Sequence, residues 1–81
     1  MNLLDYRTLN KWTQEQAAGE YSDFLGREVK QGTWSKWERG EVLPGAQHVF
    51  DLARWTNQMV LHEDHVATWA ARKDAEAAPA R

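Results

Sequence analysis

Gly40 and Pro44 close off one stretch, Val29 to Gly40 (VKQGTWSKWERG), whose internal spacing leaves few folds open. Gln31, Gly32, Ser35 and Lys36 stand at i, i+1, i+4 and i+5. At about 100° per residue they fill a single helical arc about 140° wide. Trp34 and Trp37, three apart, point to the opposite side. The spacing predicts a short helix starting at Lys30 or Gln31, with two indoles buried and a small polar face outward. Gly40 tolerates the left-handed geometry that ends helices, and Pro44 forbids simple continuation. Amide and ammonium groups on that face match the donors and acceptors of base edges in the DNA major groove, and Gly32 lets the backbone come close. The same pattern also describes an ordinary amphipathic helix with a solvated face, and the stretch alone leaves both readings open.

Eighty-one residues make one domain, near the lower limit for a self-sufficient core. There is no cysteine, so neither disulfides nor thiolate-bound zinc can staple the fold. Stability has to come from packed side chains, and five tryptophans supply an unusual amount of buriable area; dimerisation would add more. The net charge of −2 excludes diffuse binding to nucleic acid by charge alone. Its distribution is uneven. Residues 1–26 carry two basic and four acidic side chains, residues 41–81 four and six, and residues 27–40 four basic and two acidic. The net-positive segment is the one that carries the polar arc. The start of the chain lacks a basic segment followed by a long apolar run, and no stretch approaches the ~20 apolar residues of a membrane span. A soluble, cytoplasmic protein is expected.

Helix signals divide the rest. Asn2 can cap a first helix over Leu3 to Lys11, with Leu3, Leu4, Tyr6 and Leu9 as core candidates. Thr13 and Gln16 have capping-box spacing. They predict a second helix with a stripe of Ala17, Ala18, Tyr21, Phe24 and Leu25, weakened at Gly19 and ended by Gly26. After the Pro44-Gly45 turn, a fourth helix runs from about Ala46 to Thr56. Ala46, Val49, Phe50, Leu52, Ala53 and Trp55 are expected to face inward, and Gln47, Asp51 and Arg54 outward. Asn57-Gln58 breaks it. Met59-Val60-Leu61 fits a short strand, a dimer contact or an extended piece pinned to the core. A last helical stretch covers His62 to Lys73, and the Ala-rich, charged tail 74–81 is expected to be disordered.

Thr13 to Ala18 (TQEQAA), Ser35 to Gly40 (SKWERG), Pro44 and Leu52-Ala53 stand in one order. In that order the chain resembles the Cro/repressor (XRE) family of helix-turn-helix regulators, in a small Cro- or YdaS-like form. The resemblance covers residues 13–66 well and 2–12 loosely. It implies an all-α, four- to five-helix lambda-repressor-like domain over 1–73. It also implies base contacts from Gln31, Gly32 and Lys36, a phosphate contact from Gln14, contacts to phosphate or a thymine methyl from Lys30 and Thr33, and a place beside the DNA backbone for Arg39. Ser35, on the same outer arc, is read as a further base contact and Arg27, in the turn before the third helix, as a further phosphate contact. The chain departs from the pattern between Ala18 and Val29, where it is several residues longer, and at Gly32, where a hydrogen-bonding side chain is usual.

The function expected is a double-stranded DNA-binding transcriptional regulator, a repressor, bound as a dimer to an inverted repeat with the third helix in the major groove. Met59, Val60, Leu61 and Val66 lie outside the main helical stripes and are the expected dimer surface. A different class uses the same fold as an antitoxin or adaptor whose acidic flanks meet a partner protein. No catalytic site is expected, because Ser22 and Ser35 lack a His and acid at telling positions. No cofactor or metal is expected either: His62 and His65 have no third ligand of obvious spacing, and His48 is read as a rim residue.

Overall fold

The first two helices start where local side-chain chemistry says they should. The structure, a computed structural model, describes residues 1–77. It is all-α, with α1 Leu3–Leu9, α2 Gln14–Leu25, α3 Gln31–Glu38, α4 Ala46–Trp55 and α5 His62–Ala77, and no strand among the described residues. Asn2 caps α1 by accepting from the Asp5 N–H. Thr13 and Gln16 form the full reciprocal capping box of α2, and Gly26 ends that helix at φ 73°. Gly40 follows α3, also at φ 73°, for two independent reasons. A Cβ there would sit 2.7 Å from the Thr68 carbonyl oxygen of α5, so neither the backbone nor the space admits a side chain.

The core is aromatic. Trp34, Tyr21, Leu52 and Val60 are fully buried, joined by Leu3, Ala17, Ala18, Val29 and Trp37. Tyr21 lies 5.2 Å from Trp55 and 6.2 Å from Trp37, centroid to centroid, and Trp12 stacks on Trp55 at 5.8 Å with the planes only 13° apart. Rings at these distances attract through their quadrupoles as well as through buried area. One continuous cluster from α1 to α4 thus does the work that disulfides do in other small domains.

Several expectations are corrected. Leu4, Leu9, Phe24 and Phe50 remain exposed. α4 is turned about its axis from the expected phase: Asp51, Leu52 and Thr56 are buried, His48 and Trp55 half-buried, and Phe50 is 55% exposed. The rotation brings Trp55 onto the aromatic cluster and gives the inward polar groups partners. The Tyr21 hydroxyl and His48 Nδ1 are 2.8 Å apart. Asp51 accepts from Gln47 Nε2 at 3.3 Å and pairs with Arg54 at 3.5 Å. Buried polar groups are tolerated when satisfied in this way.

Residues 59–61 are neither strand nor helix. Asn57 and Gln58 adopt φ 56° and 69° in succession, which reverses the chain, and the Val60 N–H donates to the Thr56 hydroxyl at 3.1 Å. Val60 is therefore a core residue, completely buried, and not a dimer contact. The tail differs too. Residues 74–77 continue α5, and 78–81 lie outside the described residues. Ala70, Ala71, Ala75 and Ala77 are strong helix formers, nucleation is already supplied by the docked first turns, and Arg72 pairs with Glu76 at 2.8 Å. No helix among the described residues is long and apolar enough to cross a membrane.

Two stability predictions follow from this packing. Gly19 sits inside α2 with nothing within 4 Å of a Cβ built on it. Gly19→Ala should stabilise the fold by about 1 kcal/mol in thermal unfolding. His65 is buried with its Nε2 unpartnered, and burial lowers its pKa, with Asp64 raising it and His62 lowering it further. The folded chain then binds fewer protons than the unfolded chain below the ordinary histidine value. Stability should be full above about pH 6.5 and decline as pH falls from there toward the lowered value. His65→Leu should flatten this slope in urea titrations run across pH.

Candidate nucleic-acid interface

α3 is held at both ends and along one side. At its start, the Ser22 hydroxyl of α2 staples the turn: it accepts from the Val29 N–H at 2.7 Å and lies 2.7 Å from the Ala18 carbonyl and 3.1 Å from the Val29 carbonyl. The lengthened turn between α2 and α3 is thus fixed by a side chain, with Val29 buried beneath it and Arg27 and Glu28 exposed.

At its other end Glu38 is the anchor. Its side chain is only 5% exposed. The carboxylate accepts from Arg7 Nε and Nη2 at 2.8 and 2.7 Å, from Trp34 Nε1 at 2.8 Å and from Gln14 Nε2 at 3.2 Å. Arg7 Nη1 also donates to the Trp12 carbonyl at 3.1 Å. Burial alone would raise the Glu38 pKa, but the bonds from Arg7, Trp34 and Gln14 outweigh it and hold the carboxyl below its ordinary value. α1, the start of α2 and α3 meet at this one group. Of its donors, Trp34 stands four residues from Glu38, a spacing readable in the sequence. Arg7, 31 residues away, carries no local signal. Sequence reasoning missed both this network and the Ser22 staple.

The predicted reading residues divide by exposure. Gln31, Gly32, Thr33 and Lys36 are exposed, Ser35 is half-buried, and Trp34 and Trp37 are buried behind them. Lys30 is exposed at the N-cap of α3. Gly32 has nothing within 4 Å of a Cβ built on it, so the fold does not require glycine there. Gln14 is engaged: one amide hydrogen goes to Glu38, leaving the other hydrogen and the α2 N-terminus for an outside anion. Arg39 is exposed but pairs with Glu41. Arg27 lies near enough to the Tyr21–His48 pair to act on both. Burial lowers the His48 pKa, Arg27 lowers it further and Asp51 opposes. Burial and Asp51 raise that of Tyr21 while Arg27 opposes. Of the expected dimer residues, Met59 and Val66 are exposed and Leu61 is half-buried.

Acidic groups adjoin this face. A groove of about 450 Å³ between α2 and the start of α3 is lined by Glu15, Asp23 and Glu28 as well as Lys30 and Gln31, with Gly19 and Ser22 beside them. His62 is exposed and His65 buried, so the two imidazoles do not share a solvent face. No group of three or more His, Cys, Asp or Glu among the described residues is placed to hold a metal ion. No family model, curated protein or solved structure matches this chain.

Removing Arg7 leaves a buried carboxylate with two neutral donors. Arg7→Ala should cost about 3 kcal/mol in urea unfolding, more than an exposed ion pair contributes. Because the Glu38 pKa is lowered, the pair's contribution is present at neutral pH and fades as pH falls below the ordinary carboxyl range.

Proposed function

We propose that this chain is a sequence-specific double-stranded DNA-binding regulator of the helix-turn-helix kind, a repressor of transcription working in the cytoplasm at the nucleoid. α3 would enter the major groove, and the start of α2 would rest against phosphates. The observation that carries this reading is the division of α3: Gln31, Gly32, Thr33 and Lys36 face solvent while both indoles are buried and Glu38 fixes the helix to its neighbours. A reading helix needs donors on a rigid support, because a misplaced amide does not match a base edge. Gly32, which the packing does not require, permits close approach of the backbone to bases. One such helix reads only a few base pairs, so useful affinity calls for a homodimer on an inverted repeat. The likeness to Cro/repressor proteins in residues 13–66 points the same way.

One observation favours a second reading. The groove beside α3 carries Glu15, Asp23 and Glu28, which repel phosphates and suit a basic segment of a partner protein, as in an antitoxin or adaptor. Salt separates the two readings. For a DNA reader, log affinity falls with log salt at a slope of about −0.9 per phosphate neutralised.

The decisive experiment is a titration against a randomised duplex pool, followed by sequencing of what is retained. An enriched inverted repeat is the expected result; no enrichment at low salt would remove the DNA reading. On the selected duplex, Lys36→Ala should weaken binding by ~1–3 kcal/mol and relax preference at one base position. Gly32→Ala should raise thermal stability by up to about 1 kcal/mol and yet weaken duplex binding. Such opposite signs are not expected of a solvated face.

A further inference from the structure

Two acids stand between Arg27 and Gly40, and the fold treats them in opposite ways. Glu38 is buried, with its carboxylate taken by Arg7, Trp34 and Gln14. Glu28 is exposed, and among the described residues it joins no ion pair, although Arg27 and Lys30 are its near neighbours in the chain. A free carboxylate on the net-positive segment weakens the attraction of this face for any polyanion. Its backbone is nevertheless pinned. The next residue, Val29, is buried; its N–H donates to the Ser22 hydroxyl at 2.7 Å, and that hydroxyl lies 3.1 Å from the Val29 carbonyl. Glu28 therefore projects from a fixed turn three residues ahead of Gln31, and with Lys30 and Gln31 it lines the open groove at the start of α3.

We propose that, within the DNA reading on which this inference rests, Glu28 selects a cytosine at the Gln31 end of the half-site. A carboxylate only accepts hydrogen bonds. In the major groove guanine presents acceptors at N7 and O6, and thymine an acceptor and a methyl group, so neither offers it a donor. Adenine has an amino group, but beside its N7 acceptor; cytosine has its N4 amino group with no acceptor on the same edge. The outward groups of α3 leave this role unfilled. Lys36 only donates, and the Gln31 amide both donates and accepts, a pairing suited to adenine. The charge that counts against phosphate contact thus becomes a filter. Cytosine opposite Glu28 satisfies the carboxylate, whereas guanine or thymine leaves a desolvated charge without a donor, and that penalty exceeds the gain from a correct bond. Lys36 lies five residues beyond Gln31, about 7.5 Å farther along the helix axis, so it reads a different base pair.

The test repeats the randomised-duplex selection with three variants of the full chain, each checked for folding by far-UV circular dichroism. The wild type should enrich a half-site with one column fixed as cytosine. Glu28→Gln should lower the preference for cytosine there about tenfold and move it toward adenine, which pairs with an amide, while every other column stays in place. Lys36→Ala should relax a different column. Asp23→Asn removes the same charge from the same groove; it should strengthen binding to all duplexes and alter no column. A Glu28→Gln motif identical to that of the wild type, a change confined to the column that Lys36 controls, or the same shift produced by Asp23→Asn would each overturn the assignment. If wild type and Glu28→Gln enrich one unchanged inverted repeat, DNA reading stands and Glu28 has no part in it. If neither enriches any sequence, both fall.

Discussion

One buried carboxylate ties α3 to α1 and to the start of α2. Glu38 gathers a bidentate guanidinium from α1, an indole N–H from its own helix and an amide from the start of α2. Burying a charge costs several kcal/mol unless its hydrogen bonds are replaced, and here four donors replace them. The result is directional in a way that apolar packing is not. Indoles can slide against one another with small loss, whereas a bidentate guanidinium–carboxylate pair admits one geometry. Without this group the aromatic core would still hold α3 close, but with less control over its rotation. A polar arc on the outside has value only when that rotation is set.

The aromatic cluster supplies the other half of the design. A chain of this length without cysteine has little apolar area to bury, and large rings give the most area per residue. Their cost is shape: Trp12, Tyr21, Trp34, Trp37 and Trp55 must interlock, and α4 rotates to make that possible. His48 and Asp51 turn inward as a consequence, and Tyr21, Gln47 and Arg54 satisfy them. Phe50 is left in solvent by the same rotation, beside Phe24 and the Arg54 guanidinium, which lies 5.4 Å from one ring and 5.7 Å from the other. The exposure of Phe50 is thus a by-product of fitting larger rings inside.

The surface around α3 is electrostatically mixed. Lys30 and Lys36 project beside Gln31, while Glu15, Asp23 and Glu28 line the neighbouring groove. Charge of this kind cannot drive tight non-specific binding to a polyanion. Any partner of this face has to be recognised by position and hydrogen bonding, and that places the weight on the rigidity that Glu38 and Ser22 provide.

What the sequence determined by itself was local. The caps at Asn2 and Thr13, the stops at Gly26 and Gly40, the buried side of α3 and its polar outer face all follow from interactions within four residues or from backbone sterics, and these operate before any tertiary contact forms. The expected starts of all five helices agree with the structure. Tertiary structure decided the rest: the phase of α4, the burial of Val60, the role of Glu38 and the persistence of α5 through residue 77. Each depends on partners many residues away. Arg7 is an unremarkable helix residue until α3 brings Glu38 to it, and Val60 reads as a free apolar side chain until Thr56 pins its backbone. The apolar pattern of α4 fits more than one phase, and only the space left by the tryptophans selects between them.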